Sequence, residues 1–594
     1  MRAQLRSAPA ANDAPLLIGE RLRHIAAEAP DRALYTHLSF DDQPPVRLTR
    51  GETWRRACAV AAEIEARGLR GRPVLMVYPA GPDFGPAFLG VLLAGAIAVP
   101  VPAPDFASQF DRLGRVAIDC EPGVILSTRK LIEKICPSLP SDSPLRSCQW
   151  LGSDTLAPGA AFDPAPVAPS DIALLQYTSG STSEPKGVAL THANIAHNLE
   201  MLREAFQWDT GARIVSWLPH FHDMGLMAGI MSPVGGGGEA VLMSPRAFLQ
   251  RPMRWLQAIS DYRGQISGAP NFAYELCVSW AGREQRTPLD LSCWQSAFAG
   301  AEPVRMATLE AFADCFADEG FARSALTPCY GMAETTLLVT CKPFGAPPAT
   351  HLLARDAVQR GEARPTADPK GLTLTGCGYP ATGTRVRIVE PERRTALPAR
   401  RIGEVWISGP QVAPGYWNRE EDGGPFAMRL TEPDGGGWLR TGDLGFLTED
   451  GELVFVDRLK DLIILNGQNF PCHDLELTAA ASHPGLTADN CVAVGLEVGG
   501  KTHIGIVAEL GSNAVEAQPQ IASAIRASLF TTYSLAVRTI VFVPPRRLSR
   551  TTSGKLQRRQ TAQRLSDGSL QSLAVHGEPW PAQPAIVSGD DRTP

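Results

Sequence analysis

The segment YTSGSTSEPKG (177–187) sets the hydroxyls of Tyr177, Thr178, Ser179, Ser181 and Thr182 around Gly180 and closes on Pro185, Lys186 and Gly187. Such a loop can cradle anionic oxygens: glycine frees backbone N–H groups, hydroxyls add donors and a lysine adds charge. The same residue types also build an ordinary surface turn. The spacing is not that of the phosphate loop G-x-x-x-x-G-K-[ST], because Lys186 stands between Pro185 and Gly187, and this argues against a kinase-like or ATPase reading. The loop follows the apolar run IALLQ, which places it at the end of a strand, where ligands of open α/β sheets gather.

Positioning such a loop takes a scaffold. A chain of 594 residues exceeds one ordinary hydrophobic core, so several structural units are expected. The 44% hydrophobic and 20% charged content is globular, and a formal net charge of -6 offers no broad cationic field for nucleic acid, so any phosphate chemistry must be local. The 12 cysteines include no C-x-x-C pair, which points away from a zinc site or a disulfide framework and towards a reducing compartment. The N-terminal residues lack the continuous apolar core of a secretory signal, and a cytoplasmic location is expected. No membrane span is expected either: the most apolar segment, FLGVLLAGAIAVPVPAP (88–104), is short, is interrupted by Pro100 and Pro102, and reads as a buried helix passing into a strand.

From about Leu17, helical patterns alternate with the β-rich runs VLMVYP, GVILST, IALLQYT, RIVSWLP, AVLMS and RGQISGAP, which predicts an α/β class with substantial parallel sheet. Around Gly383 the texture changes to TRVRIVEP, IGEVWISGP and GELVFVDR, the alternation of a β-rich subdomain. After Arg458, the order DLELTAAASHP, CVAVGLEV, HIGIVAEL, IASAIRASLF and RTIVFVP predicts a small α/β domain. The expected division is a large N-terminal domain over 1–456, a hinge at 457–461, a small mobile domain over 462–566 and a disordered polar tail over 567–594.

Six further segments follow the loop in order: WLPHFHDMG (217–225), GAEPV (300–304), CYGMAET (329–335), WLRTGDLG (438–445), DRLKDLII (457–464) and SRTTSGKLQRR (549–559). The series resembles that of the adenylate-forming superfamily, which includes acyl-CoA ligases, luciferases and peptide-synthetase adenylation domains, and the resemblance covers nearly the whole chain. It implies attack of a carboxylate on the α-phosphate of ATP, with pyrophosphate leaving and an acyl adenylate formed. Charge then gathers on phosphoryl oxygens, where a lysine and a carboxylate-held cation stabilise it. By this resemblance Lys555 is the adenylation lysine, Glu334 the Mg2+ carboxylate, and His222 a neighbour of the reacting carboxylate. Thr178, Ser179, Gly180, Ser181, Thr182 and Lys186 would grip the outer phosphates, Gly300, Ala301 and Glu302 would line the base, and Tyr330, followed by Gly331 and Met332, would offer it an aromatic face. Thr335 would reach the α-phosphate, and Asp443 with Arg458 would hold the ribose. Without the resemblance, Lys555 reads as a solvated loop lysine, Asp443 as a turn residue and His222 as a buried structural imidazole.

Two segments resemble one branch of the superfamily, the fatty acyl-AMP ligases. The interval after Glu334 carries an insertion, about 338–372, with an LLVT strand, a polar R-D-A-x-x-x-G stretch and a C-G-x-P turn, and ISGAPNFAYELC (266–277) has the same branch's flavour. The branch implies transfer of a fatty acyl group to the phosphopantetheine thiol of a separate holo acyl carrier protein, in lipid-tailed natural-product biosynthesis, with an insertion that restrains the small domain. The alternatives are a medium- or long-chain acyl-CoA ligase using free CoA and an inactive adenylate-binding module. NGQNFPCHDLE after the hinge lacks the basic residue near Gln468 and the Y-P pair usual there, and Arg550 stands where lysine is common. An acyl tunnel is expected near Phe221, Met224, Phe272 and Tyr274.

Overall fold

A computed structural model describes residues 15–580 except 41–42, 105–108, 158–161, 178–184, 283–287, 420–423, 432–435, 466–467, 499–500, 512–515 and 551–555. The apolar runs form two large sheets. The first has nine strands, with 213–216, 239–242, 266–269, 296–299 and 326–331 as its parallel centre. The second has seven, with Pro73–Tyr78, Ile97–Pro102, Val124–Ser127 and Ile172–Tyr177 side by side and parallel. Pro73–Tyr78 is buried at all six positions, as a strand covered on both faces must be. The helices Ile18–Glu28, Arg50–Ala66, Phe84–Leu93 and His192–Ala205 share one apolar core with strands of both sheets, so the sheets lie back to back across helices. Thr49 and Thr191 cap two of these helices through their hydroxyls.

The segment 88–104 is resolved as predicted, with Phe84–Leu93 buried along its whole length and the strand Ile97–Pro102 following. The prolines leave a mark on the sheet. Ile97–Pro102 pairs with Pro73–Tyr78 at six positions but with Ile172–Tyr177 only at Ala98↔Leu174. Pro100 and Pro102 have no N–H to give. The sheet is therefore unzipped at the carboxyl end of Ile172–Tyr177, next to the polar loop.

The alternating runs after Gly383 form a five-stranded antiparallel sheet, Thr395–Ala396, Arg385–Glu390, Gly403–Ser408, Leu439–Leu447 and Leu453–Arg458 in spatial order. The insertion forms a hairpin, Thr350–Leu353 with Leu372–Thr375, around the short helix Arg355–Gln359. Beyond it, the small unit builds a four-stranded sheet in the order Cys491–Val498, Lys501–Glu509, Val537–Val543 and Ala574–Gly577, backed by helices Cys472–Ala480 and Gln518–Tyr533. Its last strand corrects the expected tail: residues 574–577 pair antiparallel with 539–542, and Trp580 packs on the same core. Polar composition hid a strand that needs no apolar face of its own, because it completes an edge.

Gly378 is where the five-stranded unit meets the nine-stranded sheet. Its carbonyl accepts from Leu453 N at 2.8 Å, its φ is +78°, and a Cβ there would stand 2.0 Å from the Cys341 carbonyl carbon. Gly383, at φ +79°, has only the Pro410 ring at 3.6 Å. Gly383→Ala is therefore expected to cost only the left-handed backbone strain of about 1–2 kcal/mol, and Gly378→Ala at least twice that loss, as read by urea denaturation.

Candidate active site

One cavity of about 850 Å³ lies where the two large sheets, the five-stranded sheet and the small unit converge. One wall begins after the strand Ser296–Ala299, where Gly300, Ala301 and Glu302 line the cavity. Ala301 holds φ +70°, a left-handed conformation that costs a side-chain-bearing residue about 1–2 kcal/mol and is found at sites over-determined by their surroundings. On the next strand Tyr330 donates its hydroxyl to Asp443 Oδ2 at 2.7 Å, with its ring against Phe455. Arg458 is the cross-strand partner of Asp443 and sets its Nε 3.5 Å from Oδ1. Burial, then the neighbouring Asp443 charge, pushes the Tyr330 hydroxyl well above the ordinary tyrosine range. Tyr330, Asp443 and Arg458, far apart in sequence, thus form one cluster.

Gly331 and Met332 continue the wall into the turn Ala333–Thr335, which presents Glu334 to the cavity. Glu334 Oε1 accepts from the Tyr416 hydroxyl at 2.9 Å, and burial raises its carboxyl above the usual range. The Tyr416 ring faces Lys186 Nζ at 5.4 Å, so one tyrosine serves both charged groups. Sequence reasoning passed over Tyr416; its position in the Gly-Tyr-Trp of 415–417 was the available signal, and the pairing of 415–416 with 188–189 brings it to the site. Thr335 departs from expectation. Its hydroxyl donates to the Met332 carbonyl at 2.9 Å, its side chain is fully buried and it does not line the cavity, so it braces the turn that carries Glu334.

Elsewhere on the wall, His222 Nδ1 lies 2.5 Å from the Asp223 carboxylate, and both line the cavity. His220 is the structural imidazole of this motif, packed on Phe84 and pushed down to about 3 by burial. Phe221, Met224 and Phe272 line the cavity, and Leu202, Phe206 and Phe298 extend its apolar wall. Tyr274 does not contribute; it is fully buried and donates its hydroxyl to the Phe298 carbonyl at 2.9 Å.

Thr178, Ser179, Gly180, Ser181, Thr182 and Lys555 lie outside the described residues. Their described neighbours do face the cavity: Tyr177 and Lys186 on one side, and on the other Arg550 and Leu556, which pair as an isolated bridge. Behind them Arg558 donates to both Glu476 oxygens at 2.7 Å and to Asp461 Oδ2 at 2.8 Å. Asp457, at the start of the expected hinge, accepts from Arg458 N at 2.8 Å and His473 N at 3.3 Å. Its carboxyl is pushed up to about 7, mainly by burial, against the pull of Arg558.

The sheets and site define the adenylate-forming class of enzyme. A family model described as AMP-binding enzyme matches residues 22–417, and one described as Disco-interacting protein 2-like, AMP domain, matches 460–575. The chain belongs to the AMP-binding enzyme family, in its fatty acyl-AMP ligase branch. It is 36% identical over 94% of its length, and 95% of the relative's, to the medium-chain-fatty-acid–[acyl-carrier-protein] ligase JamA of Moorena producens. It is 37% identical to the 4-hydroxyphenylalkanoate adenylyltransferase of Mycobacterium marinum, covering 93% of this chain and 92% of that one. The solved fatty acyl-adenylate ligase of L. pneumophila, in complex with acyl adenylate and pyrophosphate, superposes with a TM-score of 0.72 at 33% identity, over 94% of this chain and 98% of that one.

Asp457 gives a pH dependence with a definite sign. Its carboxyl holds a proton to about pH 7 in the folded chain and only to about 4 in an unfolded one, so the stability it contributes is complete below about 4 and is lost as pH rises through 7. Asp457→Asn should raise the melting temperature at pH 8 and leave it little changed at pH 4, measured by calorimetry at both values.

Proposed function

We propose that the protein activates a fatty acid with ATP to an acyl adenylate, releases pyrophosphate, and passes the acyl group to the phosphopantetheine thiol of a separate holo acyl carrier protein. The observation that carries this reading is the convergence, in one cavity, of Tyr330, Asp443 and Arg458, of Glu334, and of His222 at the head of an apolar wall. The ring of Tyr330 and the segment 300–302 take the adenine, and Asp443 accepts the ribose hydroxyls with Arg458 beside it. Lys186 and residues 178–182 hold the outer phosphates. The substrate carboxylate, placed near His222, attacks the α-phosphorus; the bond to pyrophosphate breaks, and Lys555 balances the charge on the phosphoryl oxygens. In the second half-reaction the carrier thiolate attacks the acyl carbonyl, a thioester forms and AMP departs.

Glu334 suits Mg2+. It is a hard oxygen donor with one oxygen held by Tyr416, its buried negative charge favours a cation, and such ions are commonly bound through one or two carboxylates plus substrate phosphates. When bound, Mg2+ would neutralise phosphate charge during the displacement. All 12 cysteines are free thiols, which suits a reducing compartment, and among the described residues no helix is long and apolar enough to cross a membrane.

The preference for a carrier over free CoA is supported by the insertion. Arg355, on its short helix, donates to the Asp474 carboxylate and to the Tyr533 hydroxyl of the small unit, and its guanidinium lies over the Tyr533 ring at 5.1 Å. Asp474 is buried, so separating the pair leaves a charge uncompensated. This tether opposes the rotation that the second half-reaction needs, and a docked carrier would have to supply the work.

Purified enzyme with ATP, a C6 to C18 fatty acid panel and either holo-carrier or CoA tests the reading. Pyrophosphate release dependent on a fatty acid and acyl-carrier formation are expected; efficient acyl-CoA formation would overturn the carrier assignment, and no turnover with any acid would favour an inert module. Lys555→Ala should cut adenylation by about 10²-fold or more while leaving transfer from preformed acyl adenylate nearly unchanged.

A further inference from the structure

Beside the insertion hairpin, whose Thr375 hydroxyl donates to the Val304 carbonyl at 2.8 Å, a second charged contact joins the small unit to the large one. Arg305 follows GAEPV directly and begins the helix Met306–Cys315. Its backbone N–H donates to Asn271 Oδ1 at 3.1 Å, which fixes the start of the side chain. The guanidinium then forks, with Nη2 donating to Glu275 Oε2 at 3.1 Å and Nη1 to Asp489 Oδ1 at 3.2 Å. Glu275 belongs to the large unit, Asp489 to the small one. The Arg305 side chain is only 13% exposed, and Asp489 28%, so the pair is shielded from solvent more than a surface ion pair is.

Asp489 is rigidly linked to the segment that leads to Lys555. Arg550 donates to the Asp489 carbonyl, and Arg550 bridges to Leu556 across residues 551–555. The turn holding Asp489 is closed by Thr487 N donating to Asn490 Oδ1, and Asn490 donates to the Glu509 carbonyl. The Glu509 carboxylate in turn accepts from the backbone N–H groups of Arg547 and Leu548. Moving Asp489 therefore moves 547–550 with it. An unbroken path of bonds runs from the segment lining the base, through Arg305 and Asp489, to the base of the Lys555 loop.

We infer that Arg305 and Asp489 are positioning residues for adenylation: their ion pair latches the small unit over the nucleotide, holds Arg550 and Leu556 at the cavity wall, and must open before the thiol can approach. The inference rests on the adenylation reading for the role of Lys555. Both residues line the cavity, and the role assigned to them is to hold the small unit in place. The latch acts on one half-reaction only, which separates it from a residue that merely holds the fold together.

Asp489→Asn is expected to slow fatty-acid-dependent pyrophosphate release about tenfold and to leave acyl transfer from preformed acyl adenylate unchanged or faster. Arg305→Gln should behave alike, the double variant should be no slower than either single one, and Arg305→Lys should recover part of the rate. Hydrogen exchange of the amides at 304–306 and 556–560 should quicken in Asp489→Asn whether or not the enzyme turns over. Glu275→Gln, which loses the same guanidinium but no contact between units, should stay within about twofold of the unmodified enzyme. Equal losses in both half-reactions, additive losses in the double variant, or unaltered exchange would overturn the latch. Quickened exchange in an enzyme that releases no pyrophosphate would leave the latch standing and defeat the adenylation reading instead.

Discussion

The arrangement depends on one buried carboxylate. Asp443 lies on the five-stranded sheet, accepts from a tyrosine of the nine-stranded sheet, and faces Arg458, the residue at which the chain leaves for the small unit. Three bodies of the protein are thus referred to a single pair of oxygens. A charge this sheltered is costly unless its neighbours satisfy it, and here each neighbour is also a wall of the cavity. The bonds that satisfy Asp443 are therefore also the ones that shape the cavity wall.

Around that point the parts of the protein are joined by different kinds of interaction. The large sheets are joined through a continuous apolar core, which does not come apart reversibly in pieces. The small unit has its own cores, and it meets the remainder through two charged contacts, Arg355 with Asp474 and Arg305 with Asp489, and through one apolar patch in which Leu462 joins Leu353, Phe446 and Val454. A sheltered pair such as Arg355 with Asp474 resists opening, because parting it leaves a charge without its partner.

Much of the layout was legible in the string. Alternation at period two located the strands after Gly383, and long apolar runs located the buried parallel ones, because covering one face or both leaves different composition. The order of the motifs located Tyr330, Glu334 and Asp443 together. What escaped were matters of direction. Thr335 and Tyr274 have the right types in the right segments, yet their hydroxyls turn to backbone carbonyls, a choice made by neighbours distant in sequence. Tyr416 and Arg305 escaped because each is defined by a partner 82 or 184 positions away. The strand Ala574–Gly577 escaped because an edge tolerates polar residues that a centre would reject.

The prolines of Ile97–Pro102 show another way to make room inside a protein. Cavities are usually pictured as the space left by small side chains, but here the opening beside Gln176 and Tyr177 coincides with missing hydrogen-bond donors in the main chain. Such a gap can be inherited independently of the residues that face into it. Side chains along such a gap can be replaced without closing it, because its existence rests on two prolines in the main chain and not on the residues that face into it.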